Sequence, residues 1–254
     1  MKIENINVYL VGTAGSGKTS LAYAFQCWMD EQKFRSAVVN LDPGAERLPY
    51  APDVDVRDWI ELSDVMNRFS VGPNGAQIIC ADMLALKALE IKEAIDTLRV
   101  DYVIIDTPGQ IELFAMRESS KVLVNTLGSH NLLAFLFDPI LSRTPSGFIM
   151  LYLLCASVLF RFNLPSASFL SKVDVLKHEE VEKIVEWSQN SDSLYDALNV
   201  SKVKQTDLEV FKALEGLGSF GVLTPISSET RYGLEDLYNI IQQIYSGGED
   251  LSLD

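Results

Sequence analysis

The chain predicts a three-layer α/β fold, with a mostly parallel central sheet and helices on both faces. Three observations predict it. Apolar runs of strand length recur at 6–11, 36–41, 101–106 and 132–137, and they are near-continuous rather than alternating, as strands buried on both faces require. Segments of helical periodicity separate them, so the crossovers are long enough for parallel pairing. The first run also passes through a glycine-rich loop directly into an amphipathic helix.

That first strand, Ile6–Val11, leads into Gly12-Thr13-Ala14-Gly15-Ser16-Gly17-Lys18-Thr19. Leu21, Ala24, Phe25 and Trp28 follow at helical spacing. Strand, glycine loop and helix in this order form a phosphate-binding P-loop, and the whole pattern reads as a three-layer P-loop NTPase fold. Gly12, Gly15 and Gly17 let the backbone curl, so that successive N–H groups, among them those of Ala14, Ser16 and Ser20, face an anion. The helix adds its positive end. Lys18 is expected to reach the β- and γ-phosphates, and the Thr19 hydroxyl to hold Mg²⁺.

A second strand over 36–41 ends at Asp42-Pro43-Gly44, and residues 43–54 read as a long functional loop. Trp59, Ile60, Val65, Met66 and Phe69 pattern a helix over 56–69. Val71-Gly72-Pro73-Asn74-Gly75 is a turn. Ile79, Met83 and Leu86 suit a helix capped by Asn74, although 77–80 also reads as a strand. Further helices are expected over 87–98, 115–127, 148–160, 178–190, 207–215 and 233–245, and short strands over 167–170 and 221–224. The very apolar stretch at 148–160 ends at Arg161, short of a bilayer span, and reads as a buried helix; the alternative is a helix with one face in a groove. One domain is expected over 1–246, with helical insertions at about 43–100 and 140–162 and a disordered acidic tail at 247–254.

Composition narrows the function classes. Forty-eight per cent hydrophobic residues supply a sizeable core, and 21 basic against 35 acidic residues leave a formal net charge of −14. That balance disfavours nucleic acid and anionic membranes as direct partners. Cys27, Cys80 and Cys155 stand far apart and there are two histidines, which supports neither a zinc site nor a disulfide framework. With its first strand so near the N-terminus, the chain is expected to lack a signal peptide and to sit in a reducing, cytoplasmic setting.

The remaining strands end in residues that fit a triphosphate. Asp106 closes its strand and continues as Thr107-Pro108-Gly109-Gln110-Ile111-Glu112. A carboxylate there can hold Mg²⁺, the Gly109 N–H can contact a γ-phosphate, and Gln110 can position water or stand as an exposed loop amide. Ser171-Lys172-Val173-Asp174 resembles the base-reading motif of P-loop GTPases, with Ser171 where Asn or Thr is usual. Such an Asp174 accepts from guanine N1–H and the N2 amino group, donors that adenine lacks, while the Lys172 stem covers the base. Pro225-Ile226-Ser227-Ser228 resembles the last base-contacting loop.

Asn40-Leu41-Asp42-Pro43-Gly44, Asp55-Val56-Arg57, Gly72-Pro73-Asn74 and Asp106–Glu112 together resemble the GPN-loop GTPases, over about residues 5 to 245. The resemblance implies homodimers, or heterodimers with a paralogue, in which Asn74 approaches the partner's γ-phosphate or attacking water. It implies that Asp42 organises the Mg²⁺ or water side with Gln110 and Glu112 nearby, and that Arg57 braces its loop. It further implies GTP and GDP as ligands and a role in assembling a client protein complex such as RNA polymerase. A P-loop kinase acting on a small metabolite is the alternative, but it needs an arginine-rich lid, and the arginines after residue 68 are dispersed. A nucleotide-binding scaffold without turnover is a third reading.

Overall fold

In the computed structural model, which describes residues 5–201, 205–216 and 221–247, the chain builds a seven-stranded sheet. β1 (Ile6–Gly12) runs into α1 (Lys18–Glu31) and β2 (Ser36–Asn40). A loop leads to the two-residue β3 (Val54–Asp55), a 3₁₀ turn at 56–58, and α2 (Leu62–Phe69), α3 (Pro73–Leu86) and α4 (Ala88–Leu98). Then come β4 (Tyr102–Asp106), α5 (Ile111–Ala115), α6 (Glu118–Leu127), β5 (Asn131–Phe137), α7 (Pro139–Ser142) and α8 (Pro145–Phe162). β6 (Ser166–Leu170), α9 (His178–Gln189), α10 (Ser191–Val200), α11 (Gln205–Gly216), β7 (Leu223–Pro225) and α12 (Leu234–Tyr245) complete the described chain.

The strand order is β3-β2-β4-β1-β5-β6-β7 and every pairing is parallel. β1 therefore lies inside the sheet between β4 and β5, and the chain fills one side before crossing to the other. That change of direction opens a crevice at the carboxyl ends of the strands. Register sets its floor: Leu10 and Asn40 both pair with Asp106, and Asn40 also pairs with Asp55.

Alternate residues of each strand feed two cores, as a pleated strand dictates. Val8, Leu10, Val38, Ile104, Leu132 and Leu136 meet α1 and α12 through Phe25, Met29, Leu237 and Ile241. Tyr9, Val11, Val39, Ile105, Phe135 and Phe137 meet the helices of the other face through Cys80, Ile91, Phe114, Phe148 and Trp187. This is the three-layer arrangement expected from the sequence.

Several local expectations differ from the structure. The region 77–80 is helical, and α3 begins with Gly72 as its cap and Pro73 as its first residue. Pro is suited to that first position, where its missing N–H costs nothing. Asn74 therefore sits inside the first turn and its side chain makes no capping hydrogen bond, contrary to the expected cap. The helix expected over 115–127 starts only at Glu118 as α6, a separate short helix α5 precedes it, and the one expected over 56–69 starts only at Leu62. α10 was not anticipated; Asn190 starts it by accepting from the N–H groups of Asp192 and Ser193, and Leu194 and Leu198 bury one stripe. Asp138, at the end of β5, serves as the cap of α7.

α8 is the main correction to the helical layer. The sequence favours a buried helix over one with a single face in a groove, and only one face of α8 is buried. Phe148, Leu151, Tyr152, Cys155 and Val158 point into the core, whereas Met150, Leu153 and Phe160 stand exposed. The helix is long and apolar enough to cross a membrane by length and composition, with about a third of it buried in the fold. Of the acidic tail expected at 247–254, all but Gly247 lies outside the described residues.

Gly233 caps α12 at φ 77°, and an added Cβ would stand 2.2 Å from the Pro225 carbonyl oxygen. Gly247 is also left-handed at φ 62°, but has open space around it. Gly233→Ala is expected to lose about 3 kcal/mol through backbone strain plus the clash, and Gly247→Ala only about 1 kcal/mol. Chemical denaturation of the two variants checks this; equal losses would contradict the close approach.

Candidate nucleotide site

The site begins where β1 stops. Gly17 precedes α1 at φ 98°, a left-handed backbone suited to glycine, and no side chain caps the helix. An added Cβ at Gly17 would stand 3.1 Å from Cε of Lys172. The leading N–H groups of α1, from Lys18, Thr19 and Ser20, thus face outward at the positive helix end, a geometry that receives an anion. Ala14 and Gly15 are exposed on the loop, while Ser16 is buried.

Lys18 is 4% exposed. Its Nζ donates to the carbonyl oxygens of Gly12 (2.9 Å), Thr13 (3.0 Å) and Gly109 (3.0 Å). Those carbonyls satisfy its donors but not its charge. Burial pushes the ammonium pKa down to about 8, against the opposing pull of the Asp106 and Asp42 carboxylates. A phosphate oxygen would supply the missing counter-charge.

Asp106 is 1% exposed at the end of β4, and burial pushes its carboxyl up to about 6. Tyr50 donates its hydroxyl to Oδ2 at 2.9 Å. The Thr19 hydroxyl stands close enough to favour the ionised carboxylate, yet without the geometry of a formed hydrogen bond, so Oδ1 is buried and unpaired. The Thr13 and Ser16 hydroxyls are also buried without partners. Among the described residues no group of three or more His, Cys, Asp and Glu side chains could hold a metal. Asp106 and Thr19 instead fit a cation such as Mg²⁺, which takes much of its oxygen shell from phosphates and water.

Asp42 occupies the adjoining corner, fixed by Asn40. The Asn40 amide donates to Asp55 Oδ1 (2.9 Å) and the Asp42 carbonyl (3.2 Å), and its Oδ1 accepts from the Asp42 N–H (3.0 Å). Asp42 Oδ1 accepts from the Gly44 N–H (2.8 Å) and Oδ2 from the Gly109 N–H (3.1 Å). The sequence suggests Asp42 on the cation side and Gly109 facing a γ-phosphate. Here they hold each other, so this carboxylate joins the loop after β2 to the loop after β4. Arg57 forks onto Asp55, which lowers the Asp55 pKa against burial, and donates from Nη1 to the Ala45 carbonyl at 2.8 Å. The expected bracing of the loop by Arg57 is present.

The opposite end of the crevice carries the residues that the sequence suggests for reading a base. Lys172 Nζ donates to the Gly15 carbonyl at 2.5 Å, laying its stem across Gly17. Asp174 is exposed and accepts from the buried Ser227 hydroxyl, while the Ser227 N–H donates to the Tyr232 carbonyl at 2.9 Å. Ser171, the departure from the usual Asn or Thr, still braces its loop, since its hydroxyl donates to the Phe137 carbonyl at 2.9 Å.

The structure therefore brings together Lys18, Thr19, Asp42, Asp106 and Gly109 at one end, and Lys172, Asp174 and Ser227 at the other. Gln110 and Glu112 begin α5 as exposed residues on the same loop as Gly109. Asn74 is exposed at the start of α3, on a different element. Sequence reasoning missed Asn40 and Tyr50. The signal for Tyr50 is a lone aromatic in the polar, proline-rich stretch 43–54.

Comparison with known proteins places this geometry. The profile of a family described as "Conserved hypothetical ATP binding protein" matches residues 10–247. A GPN-loop GTPase of Pyrococcus abyssi is 34% identical over 252 residues, covering 96% of this chain and 99% of that protein. GPN-loop GTPase 3 of Eremothecium gossypii is 30% identical, covering 97% of this chain and 94% of that protein. GPN-loop GTPase 1 of Dictyostelium discoideum is 32% identical over 77% of this chain, which spans half of that longer protein. The crystal structure of a Pyrococcus abyssi GTPase in its apo form superposes with a TM-score of 0.83 at 32% identity, covering 94% of this chain and 97% of that one. Glycine loop, Asp106 loop, Ser171–Asp174 and Gly72-Pro73-Asn74 thus lie within near full-length similarity, and the chain belongs to the GPN-loop GTPase family.

Proposed function

We propose that this protein is a Mg²⁺-dependent, GTP-hydrolysing switch that works as a dimer. The observation that carries the reading is the meeting of Lys18, Thr19, Asp106 and the Asp42–Gly109 contact at the ends of β1, β2 and β4. Lys18 and the α1 N-terminus bind the phosphates. Thr19 and Asp106 hold the cation, which when bound spreads the charge on the β- and γ-phosphates. Gln110 and Glu112 orient the attacking water. A strong general base is not required, because phosphoryl transfer depends on positioning and charge stabilisation. Asp174 selects guanine, and the hydroxyl of Ser227 keeps one carboxylate oxygen in place for it.

Two surfaces support the dimer and its client. Beside the exposed Gly72-Pro73-Asn74 turn, Phe69 at the end of α2 and Ile78 in α3 leave apolar side chains uncovered, and so do Leu86 at the other end of α3 and Leu89 at the start of α4. A second copy packed there would bring Asn74 toward its partner's phosphates. Beside α8, Tyr152, Cys155, Leu159, Phe160, Val222 and Ile240 line a cavity of about 870 Å³. That cavity suits an apolar segment of a client protein, and the client implied by the family resemblance is RNA polymerase during assembly in the cytoplasm.

Asp174→Asn should abolish the preference for GTP over ATP in competition binding, and an unchanged preference would refute the base assignment. Asn74→Ala should slow turnover about 100-fold with GTP affinity retained. Mixing that variant with Lys18→Ala subunits should restore turnover in the mixed dimers, whereas absence of rescue in isolated mixed dimers counts against action in trans. Nucleotide affinity should also depend on pH. The charged form of Lys18 binds phosphate and predominates below about 8, so affinity should be greatest below pH 7, begin to fall between pH 7 and 8, and weaken more steeply as pH rises further. Calorimetric titration at several pH values checks the sign.

A further inference from the structure

Tyr50 lies on the loop between β2 and β3, outside every motif that the sequence singles out. Its ring is 8% exposed and belongs to the apolar cluster built by Phe25, Val38 and Ile104. The place of the hydroxyl is therefore set by the core rather than by the loop alone. That hydroxyl donates to Asp106 Oδ2 at 2.9 Å. The other carboxylate oxygen, Oδ1, is left buried and unpaired, and Thr19 stands close to the same carboxylate. A carboxylate free to rotate about its last bond would present either oxygen, or neither, to a cation. Carboxylates that ligate metals are commonly oriented by a second hydrogen bond of this kind, and removing it typically weakens metal affinity 10–100-fold.

We propose that Tyr50 is the positioning residue of the cation site: by holding Oδ2 it aims Oδ1 of Asp106 at the Mg²⁺ that Thr19 shares. This inference rests on the nucleotide–Mg²⁺ reading above. It adds a second consequence. The stretch from Asp42 to Tyr50 is tied at both ends to β4 and the segment that follows it, by Asp42 to the Gly109 N–H (3.1 Å) and by Tyr50 to Asp106 at the end of β4. Engagement of the cation by Asp106 is thereby conveyed to the loop after β2 through one hydroxyl. Tyr50 touches neither phosphate nor water in this scheme and acts only through Asp106.

Fluorescent GDP bound to the full chain across a Mg²⁺ titration tests it. Tyr50→Phe should raise the Mg²⁺ concentration giving half-maximal tight binding at least tenfold, with GDP affinity in EDTA unchanged. That unchanged affinity also certifies that the variant is folded. Asp106→Asn should raise the same concentration, and adding Tyr50→Phe to it should change nothing further. A half-saturation in Tyr50→Phe equal to or below wild type overturns the proposal, and so does an additive effect in the double variant. Failure of the underlying reading looks different: the wild-type protein itself would bind GDP with no dependence on Mg²⁺.

Discussion

A buried positive charge organises this molecule. Lys18 stands almost out of water on carbonyl oxygens that neutralise its donors without neutralising its charge. Its nearest compensation comes from Asp106 and Asp42, one a buried strand-end carboxylate and the other clamped by backbone N–H groups. Charges in such surroundings interact strongly and are costly to leave unbalanced. A phosphate chain accompanied by a divalent cation balances both sides at once. The sheet is parallel and covered on both faces, so strand register fixes the height of Asp106 and of the strand ends from which the segments bearing Lys18 and Asp42 leave.

The loop between β2 and β3 converts that rigid edge into something responsive. It has little regular structure, yet Asn40, Arg57, Asp42 and Tyr50 give it attachments at both ends. Two of those attachments, at Gly109 and at Asp106, are groups that a γ-phosphate or a cation would also address. Ligand and loop therefore share the same few donors and acceptors. Such sharing gives a differential interaction energy between conformations, which any nucleotide-dependent change needs.

α8 sets apart a second region. Its buried face completes the core through Phe148 and Tyr152, whose rings pack tilted and edge-on around Phe137. Its other face leaves Phe160 and Leu153 uncovered beside the open end of β6. The cavity there lies away from the carboxyl ends of the central strands that carry the phosphate-facing groups. The polar crevice and the apolar cavity thus occupy separate parts of one sheet.

The sequence by itself determined the fold class, the glycine loop and the order of the motifs, because these depend on local periodicity and on glycine spacing. Lys18 and Thr19 stood out through that glycine spacing and Asp106 as the end of an apolar strand, whereas Lys172 and Asp174 stood out only through the resemblance of their motif to that of P-loop GTPases. α10 and the separate α5 were not legible, since a short helix held mainly by tertiary packing carries a weak periodic signal. The exposed face of α8 was hidden for a related reason: an apolar stretch reads alike whether a neighbour covers it or not. Tyr50, Asn40 and the Asp42–Gly109 contact were decided by tertiary structure alone. They join residues 56, 15 and 67 positions apart, and only the parallel register that levels β2, β3 and β4 brings such distant side chains within hydrogen-bonding reach.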